Sequence, residues 1–233
     1  MKANANEIAR ALDAADGSIR FFLLYGPDEA GSAALARRLE RAMGPDAERV
    51  DLDGGTIKSD PPRLLDEAAS ISLFGGRRWI RIQPAGDEIA PAITSLLEAD
   101  QAGNPVVALA GALKPSSPLL KLALDSRLAL AHASYVPDAR DAAQIAESLA
   151  KEAGLRMPRD LCRMIAVSCS NDRSLMAQEI EKLALYLDAA PDRPAEVSPE
   201  ALEAIGASSQ DGELSKLVDA IMGGQPARVG GEI

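Results

Sequence analysis

Histidine is nearly lacking from this sequence, with His132 alone among 233 residues. That excludes catalytic triads and metal sites that draw on several imidazoles. Lying in the apolar stretch Leu128 to Ala133, His132 reads as a hydrogen-bonded structural residue. Cysteine is almost as scarce: Cys162 and Cys169 stand seven apart in a helical pattern, and no second Cys/His pair accompanies them. Reduced core thiols on one helix face are expected, with no metal. Long apolar runs are lacking too. Nothing approaches a membrane span, and residues 1 to 20 alternate charged and apolar types without a signal-peptide core, which points to the cytoplasm and away from a membrane. Basic excess is also missing, since 25 Lys and Arg face 35 Asp and Glu for a net charge of −10. Strong independent nucleic-acid binding needs cations to neutralise phosphates, so it is not expected here. Arg37, Arg38 and Arg41 do cluster, but the interleaved Glu40 makes them a solvated helix face.

What is present is a globular composition, 47% hydrophobic and 26% charged. It suffices for one large or two small domains with a sizeable core. The most specific local pattern is Gly26-Pro27-Asp28-Glu29-Ala30-Gly31-Ser32-Ala33, which has the glycine spacing of a phosphate-binding loop. In a working loop, backbone N–H groups cradle the phosphates, a lysine neutralises them and a hydroxyl holds Mg²⁺. Here Ser32 takes the lysine position and Ala33 the hydroxyl position, and Asp28 and Glu29 repel phosphate. The segment reads as a degenerate P-loop between a buried strand, Arg20 to Tyr25, and a helix, Ala33 to Met43. The alternative is an ordinary strand-to-helix turn.

Alternation continues downstream. Strands are expected at Glu48 to Leu52, Trp79 to Gln83, Val106 to Ala110 and Leu128 to Ala133. Asp53-Gly54-Gly55 reads as a turn. Helices are expected at Pro61 to Ile71, capped by Asp60 and with Leu64, Leu65, Ala68 and Ile71 inward, then at Ile89 to Ala99 and Ser116 to Asp125. This predicts an α/β fold with a parallel sheet flanked by helices. The apolar strand at Val106 runs into Gly111-Ala112 with no carboxylate to hold Mg²⁺ or orient water, so hydrolysis is not expected.

The pattern changes at Val136-Pro137-Asp138, the expected domain boundary, after which no strand is expected. Helices are predicted from Asp138 to about Ala153, after Pro158 with Leu161, Met164 and Ile165 inward, and from Asp172 to Asp188 with Leu175, Ile180, Leu183 and Leu187 inward. Pro199 opens a short helix through Ile205. Glu213 to Met222 is a further amphipathic helix with little chain after it, which reads as the start of a truncated third domain.

A second pattern is Ser72-Leu73-Phe74-Gly75-Gly76-Arg77-Arg78, where two large apolar residues meet a glycine pair after a helix. Leu73 and Phe74 either fill a partner's apolar pocket or fold back as a hydrophobic cap on their own helix. The residues alone lean slightly to the cap.

Taken together, Leu-Leu-Tyr-Gly at 23 to 26, Ser-Leu-Phe-Gly-x-Arg-Arg at 72 to 78 and the Asn-Asp to Glu-Ile-Glu-Lys-Leu helix at 171 to 183 resemble the delta subunit family of bacterial DNA polymerase III clamp loaders. The resemblance covers essentially the whole chain. It implies an AAA+-like α/β domain at 1 to 136, a small all-helical lid domain at 137 to 208, and at 209 to 233 the start of a collar domain that is mostly absent. It also implies a non-catalytic subunit with no cofactor, whose Leu73 and Phe74 wedge open the beta sliding clamp. Ser72, Gly75, Gly76, Arg77 and Arg78 would flank that wedge, which reverses the preference for a cap. Implied partners are the clamp, the gamma/tau ATPase subunits, delta-prime and primed DNA. Two other classes remain: a nucleotide-binding ATPase or switch with an atypical loop, and a helical adaptor with neither property.

Overall fold

Phe21–Tyr25 is apolar at every position, and such a strand needs cover on both faces. As β1 it lies inside a five-stranded parallel sheet with β2 (Glu48–Leu52), β3 (Arg78–Ala85), β4 (Val106–Ala110) and β5 (Ala129–Ala133), in the order β2-β3-β4-β1-β5. Leu23 sits opposite Ala108 on one side and Ala131 on the other. The computed structural model describes residues 1–71 and 76–205. Within it the chain forms two compact units, Met1–Tyr135 and a second from Val136.

Successive residues of β1 point to opposite faces. Phe21 and Leu23 join a core with α3 (Gly54–Ser59), α4 (Pro62–Ala69), α5 (Ala90–Glu98) and α6 (Pro118–Asp125), through Ile57, Leu64, Ile93 and Leu119. Phe22 and Leu24 face α1 (Ala5–Ala14) and α2 (Glu29–Met43), meeting Ile8, Leu12, Leu39 and, from β3, Trp79. Each such side chain contributes roughly 1.5–3 kcal/mol by leaving water. The sheet is therefore fixed from both sides, and the loops at its strand ends stand on rigid supports.

Several local expectations are corrected. Residues 5 to 14, to which the sequence reading assigns no element, form α1 behind a capping box in which Asn4 accepts from Glu7 N–H at 2.9 Å and Glu7 accepts from Asn4 N–H at 2.9 Å. Asp53-Gly54-Gly55 is not a plain turn: Asp53 caps α3, accepting from Thr56 N–H at 2.8 Å. Asp60 consequently ends α3 rather than capping α4, and Pro61 takes the cap position. The helix stops at Ala69, which leaves Ile71 exposed instead of inward.

The second unit packs α7 (Ala139–Glu152), α8 (Arg159–Ser168), α9 (Arg173–Tyr186) and α10 (Pro199–Ala204) around Ala146, Leu161, Ile165, Met176, Ile180 and Leu183. Met164 and Leu175, expected inward, are exposed. No strand is expected in this unit, yet two short segments, β6 (Leu155–Arg156) and β7 (Ala195–Glu196), pair in parallel. Cys162 and Cys169 are free and buried, and burial is the main cause that pushes both thiols up. Because the thiolate is the reactive form, both should alkylate at pH 8 at least tenfold more slowly than in the unfolded chain. Equal rates, followed by mass spectrometry, would contradict this packing. The expected helix at 213 to 222 and the collar segment at 209 to 233 lie outside the described residues.

Candidate functional site

Several backbone N–H groups of the loop after β1 are engaged by the protein itself. Helix α2 begins at Glu29, four residues earlier than the sequence suggests, because Asp28 caps it and accepts from Gly31 N–H at 2.8 Å. Other N–H groups of the loop are also engaged. Gly26 donates to Gly111 O at 3.1 Å, Asp28 to Ser134 O at 3.3 Å, and Ser32 to Asp28 O at 3.1 Å. A carboxylate thus stands at the helix N-terminus, where a phosphate would be held by the same donors and dipole. Ser32 is buried and donates from Oγ to Ser134 Oγ at 2.9 Å, while Ala33 packs beside the α1/α2 core. At the end of β1, burial and then Tyr135 push the Tyr25 phenol up, so it stays neutral.

No carboxylate follows directly on β4 or β5, the two strands that flank β1. Beyond β4 come Gly111-Ala112, beyond β5 Ser134-Tyr135, and β3 closes on Gln83-Pro84-Ala85. Asp87 further on is occupied as an acceptor for Ser117 Oγ and for Leu119 N–H at 3.3 Å. Among the described residues no cluster of His, Cys, Asp or Glu is arranged to hold a metal ion. No described helix is long and apolar enough to cross a membrane.

The second candidate region lies between α4 and β3. Ser72, Leu73, Phe74 and Gly75 fall outside the described residues, whereas both flanks are described. On the entry side Ile71 is 90% exposed, which sets an isoleucine beside the Leu-Phe pair in the chain. On the exit side Gly76 is exposed and the two arginines bind inward. The Arg77 guanidinium donates to Ala42 O at 2.9 Å and Ala15 O at 2.5 Å, so one cation serves the C-terminal ends of α1 and α2. Arg78, only 15% exposed, pairs with Glu48 at 3.1 Å and Glu67 at 2.8 Å.

Asn104, which no sequence pattern singles out, completes the entry side. Its side-chain amide donates to Glu67 O at 3.0 Å and Ser70 O at 2.7 Å, and its backbone N–H donates to Ala68 O at 3.0 Å. These are C-terminal carbonyls of α4 that have no partner within the helix. A sequence signal for this was absent, because Asn104 and its acceptors are more than thirty residues apart. His132, by contrast, makes the structural hydrogen bond anticipated for it, from Nδ1 to Ala3 O at 3.1 Å.

No protein-family model matches the chain, and no curated protein matches it. Solved structures do. The chain is similar to the Bacillus subtilis DNA clamp loader delta protein, with a TM-score of 0.68 at 15% identity over 97% of this chain and 69% of that one. It is also similar to a Thermotoga maritima RuvB variant, with a TM-score of 0.54 at 14% identity over 93% of this chain and 74% of that one. The chain accordingly shares the fold of these proteins, a parallel five-stranded sheet flanked by helices.

Proposed function

We propose that this chain is the clamp-opening, delta-type subunit of a bacterial replicative clamp loader. The observation that carries the reading is the exposed Ile71 leading into Leu73 and Phe74 in a chain with the fold of a clamp loader delta protein. In this role residues 1 to 136 bind the beta sliding clamp, 137 to 208 form the lid, and 209 to 233 begin a collar. Leu73 and Phe74 enter an apolar pocket of the clamp, with Ser72, Gly75 and Gly76 shaping the segment and Arg77 and Arg78 holding its exit. Opening is a matter of differential affinity: a surface that binds the open ring better than the closed one shifts the ring open without breaking a bond. Gamma/tau-type subunits supply ATP hydrolysis, and delta-prime and primed DNA join in the assembled, cytoplasmic complex.

The loop after β1 supports a non-catalytic part. Residues Gly26, Gly31, Ser32 and Ala33 have the spacing of a phosphate loop, but the N–H groups of Gly26, Asp28, Gly31 and Ser32 are engaged within the protein and serine stands in the place of the cation. The competing reading, an AAA+-type nucleotide switch, requires ATP to displace the Asp28 carboxylate and bind without lysine. Calorimetric titration with ATP and Mg²⁺ should therefore give no heat up to millimolar nucleotide, and micromolar binding lost in Gly31→Val would favour the switch. The proposal itself is tested by titrating the chain with the sliding clamp of its own organism, with and without ATP. Equal, saturable binding in both supports it; no binding overturns it.

A further inference from the structure

Glu67 is held from two directions. Its carbonyl accepts from the Asn104 amide at 3.0 Å, and its carboxylate, on a side chain 22% exposed, pairs with Arg78 at 2.8 Å. Glu67 is in the last turn of α4, before residues 72–75, and Arg78 is the first residue of β3, after them. One residue thus ties the entry of that segment to its exit. Asn104 in turn joins the entry to the start of β4, whose first residue Val106 donates to Arg20 O at 2.9 Å beside β1. The entry is fastened to the middle of the sheet and the exit to its β2 side, where Arg78 also reaches Glu48.

We infer that Asn104 and Glu67 are positioning residues for the clamp-contacting segment, an inference that rests on the reading of Leu73 and Phe74 proposed above. Neither side chain supplies contact surface. Both fix the described flanks, 67–71 and 76–78, in one arrangement in the free protein, which lowers the cost of binding. If the flanks lose one arrangement, the observed affinity falls by the fraction of molecules still in it. Arg77 holds the exit independently of them, through the carbonyls that close α1 and α2.

Asn104→Asp keeps the shape and removes both side-chain donors, and Glu67→Gln removes the charge facing Arg78 while leaving the carbonyl for Asn104. Two measurements on the full chain decide the matter: clamp affinity by calorimetry, and amide hydrogen exchange of the free protein followed by mass spectrometry. Each variant should bind the clamp about five- to tenfold more weakly. Exchange in peptides covering 67–71 and 76–78 should be faster, with β1 and β4 as protected as before. Double replacement should cost less than the product of the two single effects, because both act through residue 67. Wild-type affinity in both variants, or unchanged exchange at the flanks, would overturn the inference. If the unaltered chain does not bind the clamp, the functional reading fails, and the exchange measurement still decides whether these residues fix the flanks.

Discussion

Replacing Leu73 and Phe74 together by alanine should weaken clamp binding at least a hundredfold and leave the folded protein intact. Seating two large apolar side chains in a pocket is worth roughly 1.5–3 kcal/mol each. Losing about 3–6 kcal/mol corresponds to between a hundredfold and about ten-thousandfold in dissociation constant. The described cores on the two faces of the sheet are built from residues of α1 to α6, among them Leu12, Leu39, Leu64 and Ile93, and the pair is proposed to act outside them. Thermal unfolding should therefore move by no more than a degree or two, on the order expected for a surface replacement. A large drop in stability at unchanged clamp affinity would instead identify the pair as the hydrophobic cap of its own helix. Calorimetry and a melting curve on one variant separate the two.

The second large effect is on folding, at Gly26→Ala. Gly26 has φ of 127°, a conformation that L side chains rarely adopt, and an added Cβ would overlap the backbone carbonyl of Ser134. Relief is not at hand, since Ser134 N–H donates to Tyr25 O at 2.7 Å and its carbonyl accepts from Asp28 N–H at 3.3 Å. Strain and lost contacts together should cost about 3 kcal/mol or more, lowering the melting temperature by roughly 6–12 °C. Gly17→Ala is the control. Its φ is 79° but nothing lies within 4 Å of the added carbon, so only the conformational term, about 1 kcal/mol, should appear. Equal melting temperatures for the two variants would contradict the packing of the loop against β5. The expected signature at Gly26 is thus a loss of stability, whereas in a working nucleotide site the same glycine would also be needed for ligand.

How far the sequence carries the structure depends on where each determinant sits. The parallel sheet was legible because β1 and β4 are apolar throughout and helical segments separate them at regular intervals. Helix α1 escaped although Asn4 and Glu7 form a readable capping pair, because its apolar stripe is short, with Ile8 and Leu12 its buried positions. Helix α3 escaped because Gly54-Gly55 signals a turn, and the hydrogen bond from Thr56 to Asp53 reverses that signal. At the degenerate loop, the sequence shows that lysine and hydroxyl have been replaced. What it does not show is that Asp28 caps α2 or that Ser32 turns toward Ser134, since both go with α2 starting early. Around residues 72–75 the apolar pair and the arginines were legible. Their supports were not, because Asn104, Glu48 and the carbonyls of Ala15 and Ala42 come from distant parts of the chain.

In the proposed role a ring is opened by binding alone. The direct measurement places a donor and an acceptor dye across one subunit interface of the sliding clamp and follows energy transfer as this chain is added without nucleotide. The account predicts that transfer falls to a lower plateau as binding saturates, that ATP changes neither the plateau nor its midpoint, and that the Leu73→Ala Phe74→Ala variant leaves transfer at its starting value. Saturable binding with transfer unchanged, or a fall that appears only when ATP is present, would contradict it.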